Sequence, residues 1–241
     1  MDKLIANLKN IIKNSDNIVF FGGAGVSTES NIPDFRSEKG LYNAVSNYGY
    51  SPEEMLSRTF FENHTETFYK YYKENMLYLN AIPNDAHLAL AKLEDTGKLK
   101  SVITQNIDGL HQQAGSKNVI ELHGSVHRNY CRKCKKYFDA NFIKNSNGVP
   151  RCECGCIIKP DVVLYEESLN YNNIEKAIGY IERAKTLIVG GTSLAVYPAA
   201  SFINYFKGQD LVLINKTPTT YDKMATLVIN DAIGKILKEI V

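Results

Sequence analysis

An apolar run that leads straight into a glycine-rich turn limits the folds open to this chain more than any other feature. Residues 18–21 are continuously apolar, which is typical of a strand buried on both faces of a sheet. Gly22, Gly23 and Gly25 come next and allow a tight turn with close approach of the backbone to a ligand. We expect a helix to begin here, since free N–H groups at its start favour a pyrophosphate. The pattern is short, and on its own it suits a turn without a ligand equally well.

The residues after this turn depart from an ordinary dinucleotide-binding fingerprint. Thr28 stands where a third glycine is usual, and Pro33, Asp34, Phe35 and Arg36 follow within about two helical turns. They put an aromatic face and a fixed cation beside the turn. This tail favours a dinucleotide site over an empty turn.

The rest of the chain alternates between apolar strands and segments with helical spacing. Strands are predicted at 17–21, 101–104, 186–189, 210–214 and 226–229. Helical spacing at 85–93 and 174–184 separates them. This alternation predicts an α/β fold with a doubly wound parallel, Rossmann-like sheet.

Two regions break the alternation. Residues 38–79 are predicted to be helical and are rich in aromatic side chains, and residues 127–159 hold all five cysteines. We expect the helical insert and the cysteine module to pack together as a small domain. The large domain would then consist of residues 1–37, 80–126 and 160–241.

The cysteines form two short hairpins about 20 residues apart, which is typical of a tetrahedral zinc site held by four thiolates. Such a site has no open position and is structural. Disulfides fit poorly, because the cysteine count is odd and no export signal is present. Cys131 and Cys134 form the first pair. The second is Cys152 with Cys154, or Cys154 with Cys156. Neighbouring lysines and arginines would also suit a nucleic-acid zinc ribbon, although a solvated basic face is commoner.

Polar side chains follow three of the predicted strands, where ligands bind in open α/β folds. Gln105, Asn106 and Asp108 come after the 101–104 strand, although they also suit a turn that caps a helix. A second glycine turn leads into Thr192 and Ser193 after the 186–189 strand, and Asn215 follows the next strand.

His123 is the best candidate for a general base among the five histidines. It is followed by Gly124 at the end of a short apolar segment, and a histidine titrates near working pH. A structural histidine is the commoner case for any single position.

Size and charge limit the possible partners. The 241-residue chain has a net charge of +2, which is too small to indicate a nucleic-acid protein. No apolar run reaches the length that spans a bilayer, and the N-terminus lacks the apolar core of a signal peptide. We expect a soluble cytoplasmic protein, monomeric by default, without a nucleic-acid or membrane partner.

Several motifs, in order along nearly the whole chain, resemble the sirtuin family of NAD-dependent protein deacylases, and its short bacterial members in particular. Besides the cysteine hairpins they read GAGVSTESNIPDFR, TQNIDGLHQQAG, ELHGSV, KPDVVLYEE and GTSLAVYP.

The resemblance implies an NAD-dependent protein lysine deacetylase. NAD, consumed as a co-substrate, and acetyl-lysine would meet in a cleft between the two domains. The products would be deacetylated lysine, nicotinamide and O-acetyl-ADP-ribose. A protein mono-ADP-ribosyltransferase on the same fold is the alternative, and a non-enzymatic zinc-ribbon protein is a third possibility.

The resemblance also assigns roles to residues. His123 would remove a proton from a ribose hydroxyl, and Asn106 would assist catalysis. Cofactor contacts are implied for Ala24, Gly25, Thr28, Phe35, Arg36, Gln105, Asn106, Ile107, Asp108, His123, Thr192, Ser193, Asn215, Lys216 and Asp231. Motif alignment favours Cys131, Cys134, Cys152 and Cys154 as zinc ligands.

On the substrate side, the resemblance implies that an extended peptide pairs with Val162, Val163, Leu164 and Tyr165. Many members have Phe-Gly-Glu where this chain has Tyr165, Glu166 and Glu167. Members that prefer succinyl-lysine carry a Tyr-x-x-Arg pair, for which this chain has Tyr69 and Tyr72. Without that arginine, we expect acetyl or other neutral acyl groups to be preferred.

Overall fold

The computed structural model describes residues 1–34 and 45–241. The expectations for Phe35 and Arg36 lie outside the described residues. The strands are β1 (Ile18–Gly22), β2 (Leu99–Thr104), β3 (Val119–Glu121), β4 (Gly124–Cys131), β5 (Tyr137–Phe138), β6 (Ile158–Val162), β7 (Thr186–Gly190), β8 (Asp210–Ile214) and β9 (Leu227–Ile229).

Helices occur between most of these strands. The α-helices are α1 (Asp2–Asn14), α2 (Pro52–Met55), α3 (Arg58–Asn63), α4 (Thr65–Asn75), α5 (Asp85–Asp95), α6 (Leu110–Gln113), α7 (Ala140–Asn145), α8 (Tyr171–Arg183) and α9 (Ile233–Lys238). Short 3₁₀ segments lie at Ala24–Val26, Thr28–Ser30, Ala199–Tyr205 and Asp222–Met224. Among the described residues, no helix is both long and apolar enough to cross a bilayer.

The large sheet has six parallel strands in the order β3-β2-β1-β7-β8-β9, which confirms the predicted doubly wound architecture. From β1 the chain builds outward through β2 and β3, and it then returns to the other side of β1 with β7. The carboxyl ends of β1 and β7 are therefore a topological switch point, where open α/β sheets bind ligands.

The helix expected after the first glycine turn is not present. The backbone instead forms two 3₁₀ turns, in which Val26 N–H donates to Gly23 O and Ser27 N–H to Ala24 O, each at 3.0 Å. Asn31 then adopts a left-handed conformation with φ 61°. These i→i+3 bonds already use N–H groups that a helix start would have offered to a phosphate.

Within the described ranges, buried apolar side chains form three clusters. Two lie on the large sheet, and they include Phe20 with Leu90 and Phe21 with Ile181. The third contains aromatic residues of α3 and α4, among them Phe61 and Phe68, and it packs against the antiparallel sheet β5-β4-β6. The helices thus share one core with the antiparallel sheet, whose strand β4 ends at Cys131.

Candidate active site

A cavity of about 630 Å³ opens at the carboxyl ends of β1, β2 and β7. On the side of the large sheet it is lined by loop residues, which include Gly23, Ala24, Gly25, Ser27, Gln105, Asn106, Ile107, Asp108, His123, Gly191, Thr192 and Ser193. On the opposite side it is lined by Tyr71, Val126, Val162, Val163, Leu164 and Tyr165, among others.

The loops on the sheet side are held together by direct hydrogen bonds. Gly25 N–H donates to Gly191 O at 2.7 Å, and Gln105 Nε2 donates to Thr192 Oγ1 at 3.1 Å. A Cβ atom added at Gly25 would lie 2.7 Å from the Cα atom of Gly191. Glycine is thus needed at position 25 because the loops after β1 and β7 pack closely there, whether or not a ligand also approaches the backbone.

Asn106 and Asp108 are joined through a serine that the sequence reasoning missed. Asn106 Nδ2 donates to Ser27 Oγ at 2.9 Å, and Ser27 Oγ donates to Asp108 Oδ2 at 2.6 Å. Asp108 Oδ1 also accepts from Leu110 N–H at 2.9 Å. Asp108 therefore forms an Asx-type turn just before α6, whose N-cap is Gly109, and it lines the cavity at the same time.

His123 lies where β3 gives way to β4, and its Nδ1 atom is 2.9 Å from Gln105 O. A carbonyl oxygen only accepts hydrogen bonds, so Nδ1 carries the proton. In the neutral ring, Nε2 is then the nitrogen that can accept another proton. The side chain is half-buried and lines the cavity.

Gly124 adopts φ 78°, and a Cβ atom there would lie 1.9 Å from Asp161 O. Only glycine lets β4 begin this close to β6. The glycine beside His123 is thus explained by strand packing rather than by exposure of the imidazole.

Four predicted cofactor residues do not line the cavity. Thr28 Oγ1 donates to Gly25 O at 2.9 Å, and Asn215 Oδ1 accepts from Thr192 N–H at 2.9 Å. Both side chains therefore hydrogen-bond to the backbone of loops that line the cavity. The Nδ2 atom of Asn215 is buried without a partner among the described residues. Lys216 is exposed, and the Lys235 ammonium, 2.5 Å from Asp231, lowers the pKa of that carboxyl.

The proposed peptide segment is anchored through its own N–H groups. Val163 N–H donates to His123 O and Tyr165 N–H to Leu56 O, both at 3.0 Å. Leu164 N–H donates to the Glu167 carboxylate at 2.9 Å. These three donors are therefore occupied, and the carbonyl oxygens of Leu164 and Tyr165 also accept hydrogen bonds, from Glu167 N–H and Arg58 N–H, each at 3.0 Å.

The two tyrosines aligned with the Tyr-x-x-Arg pair do not line the cavity. Tyr69 and Tyr72 are fully buried in the aromatic core, and Tyr69 hydroxyl donates to Ile158 O. Tyr71, on another face of α4, lines the cavity instead. Among the described lining residues there is no lysine or arginine.

Four cysteine sulfurs converge at the tips of the two hairpins. The Sγ atoms of Cys131, Cys134, Cys152 and Cys154 all lie within 4.8 Å of one another, and Cys156 is not in this group. Zn–S bonds of about 2.3 Å in a tetrahedron separate the sulfurs by about 3.8 Å. The separations of 3.4, 3.5 and 3.9 Å found here fit a metal such as zinc.

Two buried histidines lie near Asp108, outside the cavity. The rings of His87 and His111 have centroids 4.7 Å apart, and both side chains are inaccessible to solvent. Burial lowers the pKa of His87 to about 4, which the Asp108 charge opposes, and lowers that of His111 to about 3. Both rings are therefore neutral at pH 7.

The chain is similar in sequence to proteins of one family. The model of the Sir2 family matches residues 23–198. An NAD-dependent protein deacetylase of Clostridium tetani is 67% identical over 237 residues, which cover 98% of this chain and 96% of the relative. One of Clostridium perfringens is 62% identical over 243 residues, which cover 100% of both chains.

Solved structures of Sir2 proteins are similar to this chain in fold as well. A Sir2 variant with deacetylated p53 peptide and 3'-O-acetyl ADP ribose is 40% identical with a TM-score of 0.89, and covers 98% of this chain and 96% of its own. A Sir2 complex with p53 peptide and NAD+ has the same identity and coverage and a TM-score of 0.87. The deacetylated peptide and acetylated ADP-ribose favour acyl removal over transfer of ADP-ribose to protein.

Proposed function

Because this chain belongs to the Sir2 family, we propose that it is an NAD-dependent protein deacetylase. It removes acetyl groups from lysine side chains of proteins and releases nicotinamide and O-acetyl-ADP-ribose. One observation carries this function. A single cavity brings His123 together with the glycine turns after β1 and β7 and with the segment at 162–165.

The cavity suits NAD. Gly23, Ala24 and Gly25 offer a nearly side-chain-free wall at the switch point of the sheet, with the Thr192 side chain packed beside Gly23 and Ser193 also in the lining. When bound, NAD supplies the ribosyl carbon that takes the acetyl group as nicotinamide leaves. Asn106, Ile107 and Asp108 would hold the nicotinamide and its ribose. Asn215 and Thr28 would act through the loops that they support.

His123 would be the general base. Its Nδ1–H donates to Gln105 O, so in the neutral ring Nε2 is the basic nitrogen that would take the proton from a ribose hydroxyl. Asn106 would orient the reacting ribose, and its own amide is fixed by Ser27. Both side chains are held before the substrates arrive, so little reorganisation is needed.

The acetyl-lysine would enter between the segment at 162–165 and the loop after β7. Val126, Leu164 and Ile107 give this side of the cavity an apolar lining, which suits a neutral acyl-lysine and excludes water from the reacting groups.

The cysteine cluster would have a structural role. With Cys131, Cys134, Cys152 and Cys154 as its four ligands, the metal has no open coordination position. The site joins the 131–134 and 152–154 hairpins beside the aromatic core.

Domain organisation remains a proposal as well. The aromatic core shared by α2, α3, α4 and the antiparallel sheet supports a small domain made of residues 38–79 and 127–159. The clusters on the six-stranded sheet support a large domain made of residues 1–37, 80–126 and 160–241. The monomeric state and the cytoplasmic location stay predictions.

Mass spectrometry tests the function directly. The purified protein is incubated with an acetyl-lysine peptide, with and without NAD. We expect loss of the acetyl mass only with NAD, together with nicotinamide and O-acetyl-ADP-ribose in equal amounts. A gain of the ADP-ribose mass on a protein or peptide, without acetyl loss, would instead establish the transferase.

A further inference from the structure

Glu166 presents a carboxylate at the cavity from an unusual backbone position. It lines the cavity, is exposed, and has φ 73° in the left-handed region. Residues with a Cβ atom adopt this region at a steric cost, whereas glycine does not. Glycine would fit this backbone without strain, so the feature that Glu166 adds is its side chain. An unusual conformation beside a binding site is a reason to ask what that side chain binds.

Among the described residues, hydrogen bonds hold the carboxylate of Glu166 on one of its two oxygens. Thr59 donates to Oε2 twice, from its backbone N–H at 2.8 Å and from its hydroxyl at 2.6 Å. These bonds, with the nearby Arg58 charge, lower the pKa of the carboxyl, so the group is ionised at neutral pH. The second oxygen, Oε1, keeps its lone pairs for another donor.

Asp34, Asp108 and Glu167 also line the described part of the cavity, and the last two are held by hydrogen bonds within the protein. Glu167 accepts from Lys159 Nζ at 3.0 Å and from Leu164 N–H at 2.9 Å. Asp108 accepts from Ser27 and from the start of α6. Since no lysine or arginine lines the described part of the cavity, the charge of Glu166 is not balanced by a cation of the lining.

Glu166 also lies where a substrate backbone would pass. It directly follows the segment at 162–165, and the Tyr165 carbonyl and amide tie this segment to residues 56–58. A peptide that places its acetyl-lysine in the cavity runs along this segment and brings its flanking residues near Glu166.

We propose that Glu166 selects acetyl-lysine peptides that carry an arginine or lysine close to the acetylated residue, by pairing its carboxylate with that cation at the cavity mouth. The proposal rests on the deacetylase function above, and it names the substrate class of the same site. The pair is solvent-exposed, so we expect about a two- to fivefold gain in kcat/KM, which shrinks as salt is added.

The test uses a neutral acetyl-lysine peptide and six derivatives with one arginine at each of the three positions on either side. For each protein, kcat/KM of a derivative is divided by that of the neutral peptide. We expect this ratio to be about 2–5 at one or two positions for the natural protein at low salt, and about 1 for Glu166→Gln. Glu166→Lys should invert the preference, so that glutamate replaces arginine as the favoured flanking residue.

Glu66→Gln is the matched control, because Glu66 is an exposed acid in the first turn of α4 that does not line the cavity. It should keep the ratio of the natural protein. Peptide affinity measured by fluorescence anisotropy without NAD should follow the same order. A ratio near 1 at all six positions in the natural protein, or an unchanged ratio in Glu166→Gln and Glu166→Lys, would overturn the proposal. If no peptide is deacetylated at all, the deacetylase function itself fails.

Discussion

The Nδ1 atom of His123 lies 2.9 Å from the carbonyl oxygen of Gln105, a residue 18 positions earlier in the chain. The loop that follows β2 therefore sets the tautomer of the proposed base. The same loop contributes Asn106 and Asp108 to the cavity. One short segment therefore determines both the orientation of the proposed base and the position of the side chains proposed to hold the ribose.

Replacing His123 with alanine should abolish turnover without unfolding the protein. Loss of a general base costs about 10²–10⁴-fold in rate, so we expect kcat for deacetylation to fall by at least about 100-fold. The control is His64→Ala, since His64 is exposed and does not line the cavity. Circular dichroism checks the fold of both variants. A His123→Ala protein with the full deacetylation rate would disprove the assignment.

Gly124→Ala should destabilise the protein far more than an alanine at another left-handed glycine. The added Cβ atom overlaps Asp161 O, so we expect a loss of at least about 3 kcal/mol in the free energy of unfolding. Gly148 also has a positive φ, 61°, but no atom lies within 4 Å of its added Cβ, and Gly148→Ala should cost about 1–2 kcal/mol. Urea titrations measure both values. Equal losses would show that backbone strain alone matters at Gly124.

Removal of a zinc ligand should release the metal. Cys131→Ser replaces a buried thiolate of the cluster, so metal analysis should fall from about one zinc per chain to nearly none, with a lower melting temperature. Cys156→Ser is the control, because its thiol is outside the cluster, and it should keep the zinc. Stoichiometric zinc in Cys131→Ser would show that the ligand set is wrong.

Succinyl-lysine should be a poorer substrate than acetyl-lysine on the same peptide. A carboxylate in the acyl group would be desolvated with no lysine or arginine in the described lining to pair with it, so kcat/KM should fall by at least about tenfold. Propionyl-lysine separates charge from size, since it is larger than acetyl but neutral, and it should be removed at a rate near that of acetyl. Faster removal of succinyl than acetyl would refute the expectation.

Acid should destabilise the protein partly through His87 and His111. Their pKa values of about 4 and 3 lie below the unfolded value near 6.5, so the unfolded chain binds more protons between these values. Stability from this pair is complete above pH 6.5 and is lost as pH falls towards 3. At pH 5 each histidine should contribute a loss of about 2 kcal/mol.

The measurement compares urea unfolding at pH 7 and pH 5 in the natural protein and in His111→Leu. The loss of stability between the two pH values should be smaller by about 2 kcal/mol in the variant. Metal release in acid affects both proteins alike and cancels in the difference. The same loss in both would mean that His111 does not titrate with unfolding.

The sequence predicted the large sheet well because its strands are continuous apolar runs. β8 has the predicted bounds, and β1, β7 and β9 differ from the prediction by a residue at one or both ends. β3 was missed because its three residues, Val119–Glu121, contain only two consecutive apolar side chains, whereas all three residues of β9 are apolar. The prediction of an α-helix after the glycine turn was wrong, because the backbone there forms a 3₁₀ turn with i→i+3 hydrogen bonds.

Side-chain contacts between distant parts of the chain were beyond such reasoning. Ser27 meets Asn106 and Asp108 across about 80 positions, and no local pattern carries that information. Helical spacing places Tyr69 and Tyr72 on one face of α4, but only tertiary packing decides that this face meets the aromatic core. For the same reason, Tyr71 is the tyrosine of α4 that lines the cavity.

The hydrogen bond from Val163 N–H to His123 O joins the proposed base to the segment that would carry the substrate peptide. Together with the adjacent pairing of Gly124 with Val162, this bond fixes the position of the proposed base relative to the segment. Any displacement of the segment at 162–165 would carry the His123 backbone with it. The spacing between the proposed base and a bound acyl-lysine would therefore be set by how β4 pairs with β6.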